Sequence, residues 1–258
     1  MDFLKYIAKT SRINQHPLGE KGTIILHNSI SKKANQILEL GCGSGHTASI
    51  ISNNKIKYYG VDSSKEMIYS ANKRKKTINL NNVTFLLTTN SKLPFPNNFF
   101  DLVFCESVLA ILTFEESVKY LIEIYRVLKK DGQFIANESL WINTTSKEDI
   151  NRINKLTNAK FNLVQASNKM KLKILLKSIN EAGFKNIKST LLENIFAEDN
   201  KLSKNKSYLK SIKYSKKEKI KSLLNPFRLY QYIYFKINEL KCLENGKFIS
   251  SYLIVCKK

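Results

Sequence analysis

Long apolar runs are missing from this chain. No stretch of about 18 or more apolar residues occurs, although 43% of the 258 residues are hydrophobic. A membrane-spanning helix is therefore not expected. The opening residues, Met-Asp-Phe-Leu-Lys-Tyr-Ile-Ala-Lys, hold no apolar core of signal-peptide length and no small-residue cleavage site, so a cytoplasmic location is expected. Cysteine is scarce as well. Cys42, Cys105, Cys242 and Cys256 show no C-x-x-C spacing and are too few to staple a chain this long, so reduced thiols are expected. The three histidines do not cluster with cysteine, and no metal site is expected.

Acid is the scarce charge. Against 43 Lys and Arg stand 21 Asp and Glu, a net charge of +22. One reading is a polyanionic partner, either nucleic acid or an anionic surface. The other is compositional. The excess is nearly all lysine, in a chain also rich in asparagine and isoleucine, as an AT-rich genome would produce. Arginine, the better bidentate reader of phosphate, is sparse. The compositional reading is preferred.

Glycine is thinly spread, with nine in the chain, yet Gly41, Gly43 and Gly45 fall almost together. They follow the apolar run Ile37-Leu38-Glu39-Leu40. A strand running into a glycine turn and then a helix is how α/β folds build a nucleotide site at the carboxyl edge of a sheet. The dinucleotide pattern would place a further glycine at position 46 or 48, where His46 and Ala48 stand. What remains is E-x-G-x-G-x-G. Downstream, Lys57 to Asp62 reads as a second strand ending in an acid, and such a carboxylate can accept hydrogen bonds from both ribose hydroxyls of a nucleoside. Ser63, Ser64 and Glu66-Met67-Ile68 carry a helix-start signal. Val83 to Leu87 reads as a third strand, and Phe100 to Phe104 as a fourth, after Leu93-Pro94-Phe95-Pro96.

These motifs, in this order, resemble the class I S-adenosylmethionine-dependent methyltransferases. The resemblance covers roughly residues 35 to 140, with Val127 to Gly132 as the turn before a fifth strand, plus Glu181-Ala182-Gly183-Phe184 at the end of the last core helix. It implies S-adenosyl-L-methionine as donor and S-adenosylhomocysteine as product. Glu106-Ser107-Val108-Leu109, Asn137-Glu138 and the Leu-Pro-Phe-Pro segment look like the small-metabolite branch, which implies a small-molecule acceptor methylated by in-line displacement. His16-Pro17-Leu18-Gly19 also resembles a stretch found in bacterial members. The rival reading is an RNA- or protein-directed enzyme that uses a basic, tyrosine-interleaved segment to track a backbone and stack bases. Against it, no Asp/Asn-Pro-Pro-Tyr loop follows the fourth strand, and no Pro-Cys nucleophile is present.

Alternating strand and helix signals from 36 to 138 argue for a single α/β domain with a parallel, doubly wound sheet, and the resemblance implies a Rossmann-like, seven-stranded sheet whose last strand is antiparallel. Residues 1–34 would form an N-terminal helical cap, 35–195 and 246–258 the core, and 196–245 an inserted basic and aromatic helical lid. Within the core, Phe114 to Leu128 reads as an amphipathic helix with Val118, Leu121, Ile122 and Tyr125 on one stripe, and Lys169 to Ala182 as a helix closed by Gly183.

The donor site implied by the resemblance comprises Glu39, Gly41, Cys42, Gly43, Gly45, Asp62, Ser63, Met67, Thr89, Asn90, Ser91 and Glu106. A helix starting near Ser44 would point its free N–H groups at the donor carboxylate. Glu39 would reach the donor ammonium, directly or through water, or brace the loop. Met67 would pack on adenine. Thr89 or Asn90 stands where the family often has an acid. Asp62 would hold the ribose, cap the following helix, or both. No catalytic residue is assigned, because the donor is already activated and a base is required only if the acceptor must lose a proton. Candidates are Glu106, His16 and Glu138. Glu106 reads as a base, as a carboxylate orienting a cationic acceptor, as a donor contact or as a helix-start charge. His16 reads as a base, a donor contact or a turn residue. Asn137 and Glu138 would line the acceptor pocket or form a solvated strand end. His46 reads as structural, and Trp141 with the tyrosines of 230–234 as an acceptor wall or as core.

Overall fold

Runs such as Ile37-Leu38 and Leu102-Val103-Phe104 are apolar on both sides, which suits strands covered by helices on both faces. The computed structural model describes residues 2–10, 13, 15–53, 55–194, 205–243 and 247–258. Its strands are β1 (Gln36–Leu40), β2 (Lys57–Asp62), β3 (Val83–Leu87), β4 (Phe100–Glu106), β5 (Leu128–Trp141), β6 (Lys185–Leu191) and β7 (Ile249–Lys257). Its helices are α1 (Phe3–Thr10), α2 (Gly19–Ser29), α3 (Ala48–Ile51), α4 (Lys65–Ile78), α5 (Phe114–Val127), α6 (Lys147–Phe161), α7 (Leu172–Glu181), α8 (Lys206–Leu223) and α9 (Pro226–Leu243). The seven strands form one sheet in the order β3-β2-β1-β4-β5-β7-β6. Strands β1 to β5 are parallel, while β7 is antiparallel to both β5 and β6. This is the Rossmann-like sheet with an antiparallel last strand that the sequence leads one to expect.

Side chains alternate across the sheet with a period of two. Ile37, Leu102, Phe104 and Ile135 enter a core shared with α2, α3, α4 and α8. Leu38, Val103, Cys105, Phe134 and Ala136 enter the other, shared with α5, α6 and α7. Cys42, Cys105 and Cys256 are free and buried. The side chain of Cys242 lies outside those described.

Three expectations shift locally. The buried stripe of α5 is Ser117, Leu121, Ile124 and Val127, while Ile122 is 55% exposed. The stripe lies one residue round from the predicted one, because Ile124 and Val127, not Ile122, meet the sheet. The helix predicted from Lys169 begins at Leu172, since Trp141 and Lys171 first pair as a short parallel bridge. The helix after the glycine loop starts at Ala48 rather than near Ser44 and is only four residues long.

The segment expected as a lid is helical where it is described. Residues 195–204 and 244–246 lie outside the described residues. Helix α8 packs on α1, α3 and α4, and α9 packs on α8 and α6. Among the predicted aromatic-wall residues, Trp141 is core, with its indole N–H donating to the Ser167 carbonyl at 3.0 Å. Tyr230 is 62% exposed.

Glu138, a catalytic candidate by sequence, is fully buried in β5. Its carboxylate accepts the backbone N–H groups of Val108 at 3.0 Å, Leu109 at 2.9 Å and Ala110 at 3.1 Å. Burial pushes its pKa up, and those three donors pull against the shift. It shapes the loop after β4 and does not face a cleft. Glu138→Ala would leave three buried N–H groups without an acceptor, a loss of about 3–5 kcal/mol of unfolding free energy by urea titration. An unchanged midpoint would remove this role.

Candidate active site

The sheet order reverses between β1 and β4, and at such a switch point a crevice opens at the carboxyl ends of the strands. Three acids converge there, Glu39 near the end of β1, Asp62 at the end of β2 and Glu106 at the end of β4. The glycine loop is pinned to β2, because the N–H groups of Gly41 and Cys42 both donate to the Val61 carbonyl, at 2.8 and 3.0 Å. Gly41 has φ +72°, and a Cβ there would lie 2.4 Å from Val108 Cγ2. Gly43 has φ +50°, and a Cβ there would meet nothing within 4 Å. Its backbone borders open space, as a cradle for a ligand requires. Gly45 behaves differently from its expected place beneath a donor. A Cβ there would sit 2.7 Å from Phe85 Cζ and 3.1 Å from Ala71 Cβ, so this glycine brings the loop close to the core.

A cavity of about 250 Å³ occupies the crevice. Glu39, Gly41, Cys42, Gly43, Asp62, Ser63, Met67 and Glu106 line it, as do His16 and His46. Thr89, Asn90 and Ser91 do not. Beyond β3 the chain is held by the Thr88 N–H donating to the Asp62 carbonyl at 3.0 Å, which turns Thr88 inward and leaves Thr89 and Asn90 exposed. Thr88 and Tyr120 line the cavity in their place. Thr47, Ser107 and Gln15 are further lining residues that sequence reasoning missed. Ser107 has φ +57°, a costly conformation for a residue with a Cβ. No sequence signal marks it.

Asp62 Oδ2 accepts the Gly43 N–H at 2.9 Å and Oδ1 accepts the Ser64 N–H at 2.9 Å. The cap of α4 is Ser64, which accepts the Met67 N–H. Asp62 thus ties the glycine loop to the start of α4, and each of its oxygens retains a lone pair. Burial raises its pKa, and the backbone donors oppose the rise. Glu39 is 3% exposed and accepts a hydrogen bond from the Tyr58 hydroxyl. Burial pushes its pKa up, and the nearby Glu106 and Asp62 charges add to the effect.

Glu106 is the junction of four elements. It accepts hydrogen bonds from Thr23 on α2 at 3.2 Å, Thr47 beside the glycine loop at 3.2 Å and Asn137 on β5 at 3.0 Å. His16 Nδ1 lies 3.3 Å from it, and His16 Nε2 lies 3.1 Å from the Thr23 hydroxyl. Both ring nitrogens of His16 therefore face protein groups, which makes the residue a clasp for the N-terminal cap. Asn137 is buried in the same cluster and also reaches the Pro17 carbonyl, at 3.4 Å. Gly22 makes this clasp possible, since a Cβ there would lie 2.1 Å from the Pro17 oxygen.

A second cavity, of about 370 Å³, adjoins the first and shares Leu4, Ile7, Gln15, His16, Ser107 and Ile111 with it. Its remaining wall comes from α1, α6, the 163–165 loop, Phe235 of α9, Ser139 of β5, Ile249 of β7, Pro17 and Ala110. In place of the tyrosines predicted for this role, α9 presents Phe235, which stacks on Phe3 at 5.2 Å.

Comparison with known proteins agrees with this geometry. The family described as "Methyltransferase domain" matches residues 38–136. An uncharacterized methyltransferase of Bacillus subtilis, YcgJ, is 33% identical over 117 residues, which span 45% of this chain and 46% of that protein. The chain spans less than half the length of the first curated relatives it matches. An uncharacterized protein of Methanocaldococcus jannaschii, MJ1123, is 32% identical over 65% of this chain and 72% of its own length. The crystal structure of YcgJ superposes with a TM-score of 0.59 at 20% identity, covering 92% of this chain and 97% of that one. Phosphoethanolamine N-methyltransferase 2 of Haemonchus contortus, solved with S-adenosyl-L-methionine, gives a TM-score of 0.67 at 18% identity, over 98% of this chain and 56% of that one.

The chain belongs to the class I S-adenosylmethionine-dependent methyltransferase family.

The residues present fit the methyltransferase donor. Three carboxylates and no lysine or arginine stand among the described residues lining the first cavity. In a chain of net charge +22 this is a local inversion of sign, suited to a ligand that carries a sulfonium and an ammonium. Gly43 leaves room for the ligand against the backbone, and the buried Nε2 of His46 has no protein partner.

Helix α8 braces the donor loop. Arg74 on α4 is fully buried and donates to the Ser44 carbonyl at 2.9 Å, to the Ser211 hydroxyl at 2.8 Å and to the Ser215 hydroxyl at 2.8 Å. Its guanidinium also lies over the Tyr214 ring at 4.9 Å. His46 joins the same latch, with Nδ1 2.8 Å from the Ser211 hydroxyl. Burial, with Arg74 nearby, pushes the His46 pKa down to about 3. A depressed base stabilises the fold fully above its ordinary value of about 6.5, and the contribution is lost as pH falls towards the folded value. Between pH 7 and 5 this loss is about 2 kcal/mol. His46→Asn, which retains a partner for Ser211 but does not titrate, should lack it. Urea titrations at both pH values should show the wild-type stability falling relative to the variant by about that amount. Equal changes in both proteins would show that His46 does not titrate with folding.

Proposed function

We propose that this protein transfers the methyl group of S-adenosylmethionine to a small-molecule acceptor. The observation that carries the reading is the pair of adjoining cavities, one acidic and bordered by the glycine loop, the other lined largely by apolar groups and about 370 Å³ in volume. The second falls at the lower end of the range of about 300–1,000 Å³ typical of small-ligand pockets. When bound, the donor supplies a methyl group already activated by a positive sulfur, so the residues need only hold, align and exclude water. Asp62 holds the ribose through the lone pairs left free by Gly43 and Ser64. Met67 and Thr88 border the adenine end. Glu39 and Glu106 place negative charge near the cationic end, and Glu106 also anchors the cap that covers the site.

A nucleic-acid- or protein-directed reading would assign the lysine-rich segment to a polymer. Helix α8 instead buries Tyr208, Ser211, Tyr214 and Ser215 against the donor loop and α4. That face serves the fold, which favours the small-molecule reading.

Calorimetry with S-adenosylmethionine tests the donor site. Asp62→Ala should weaken binding roughly 10- to 100-fold, the loss of one or two hydrogen bonds to a charged group. Gly43→Val should abolish it, because the new side chain would occupy the open cradle. Affinities equal to wild type in both variants would sink the assignment.

A further inference from the structure

We infer that the acceptor is uncharged and largely apolar, with one polar group placed at the junction of the two cavities; this rests on the methyl-transfer reading above. Among the described residues lining the second cavity none carries a carboxylate, ammonium or guanidinium. In a chain with one charged residue in four, such a wall is selective. The interior is built from rings and aliphatic groups, chiefly Phe3, Phe161, Leu163, Val164, Phe235 and Ile249. Phe3, Phe161 and Phe235 pack together, with centroids 5.2 to 6.1 Å apart.

Burying an unpaired charge costs far more than a neutral polar group. A phosphorylated amine or an amino acid would bring two charges into this chamber and find no counter-ion. A neutral apolar molecule gains by leaving water. The polar side chains shared by both cavities are Gln15, His16 and Ser107. Ser139, Thr157 and Gln165 add neutral polar groups to the wall of the second cavity, while Gln15, His16 and Ser107 stand where it adjoins the donor crevice, so a polar group at the reactive end of a largely apolar body finds partners at that end. The ligand is thereby oriented with its reactive end towards the donor.

The test uses the full chain saturated with S-adenosylhomocysteine. N-phenyl-1-naphthylamine, a neutral apolar fluorophore, reports on the second cavity. Two variants place a carboxylate in its wall, Val164→Asp and the nearly isosteric Gln165→Glu. Both positions are partly exposed, and circular dichroism melts establish that each variant is folded. The expected result is saturable probe binding to wild type, weakened at least tenfold by Val164→Asp and at least threefold by Gln165→Glu. S-adenosylhomocysteine affinity should stay within twofold. In turnover with S-adenosylmethionine, a panel of neutral hydrophobic alcohols, phenols and quinols should outperform phosphoethanolamine and glycine. Absence of probe binding, equal binding by both folded variants, or faster turnover of the charged acceptors would overturn the inference. Probe binding without any S-adenosylhomocysteine binding would instead refute the methyl-transfer reading and leave the neutral chamber standing.

Discussion

The concentration of negative charge at the carboxyl ends of β1, β2 and β4 is the constraint on which the site depends. Parallel register places Glu39 opposite Gly60 and Phe104, two residues short of Asp62 and Glu106, so the three acids fall near the same edge of the sheet, and the glycine loop joins them through Gly43 and Thr47. Like charges in low dielectric repel and resist ionisation. The fold answers with donors. Tyr58 serves Glu39, two backbone N–H groups serve Asp62, and Thr23, Thr47 and Asn137 donate to Glu106, with His16 Nδ1 3.3 Å away. Each of those donors belongs to a different element, so satisfying the acids also assembles the glycine loop, the cap and the sheet into one unit.

The long segment between β6 and β7 gains a purpose from the same logic. A tight glycine loop followed by a helix of only four residues has little support of its own. Arg74 and His46 supply it by reaching α8, where Ser211 accepts from Arg74 and pairs with His46. A buried guanidinium is costly unless its donors are satisfied, and here serine hydroxyls and the backbone carbonyls of Ser44 and Ser211 satisfy them. The insertion therefore acts first as a buttress of the donor loop. Among the described residues of the insertion, Phe235 of α9 is the one that reaches the neighbouring chamber.

Much of the acidic crevice and its glycine loop was legible in the chain. Strand periodicity, the spacing of Gly41, Gly43 and Gly45, and an acid at the end of the second strand all reflect local rules of backbone geometry, and these operate within a few residues. What was misplaced depended on rotation or burial. Thr88 faces inward where Thr89 and Asn90 were expected, because a single hydrogen bond to the Asp62 carbonyl sets the pleat. Glu138 looked like a residue of the lip, yet the turn after β4 wraps its backbone N–H groups around that carboxylate.

The sequence by itself determined the parallel strands and the class of nucleotide loop, because alternation and glycine placement are local and periodic; the antiparallel last strand was expected only through the family resemblance. Only the tertiary structure decided that His16 and Gly22 clasp the cap onto Glu106, that Gly45 packs against Phe85 and Ala71, and that residues from α1, α6 and α9 line a largely apolar cavity beside an acidic one. Most of those contacts join positions distant in the chain, His16 with Glu106 and, farthest apart, Phe3 with Phe235. Their pairing depends on how the helices seat on the sheet, and no local pattern encodes that.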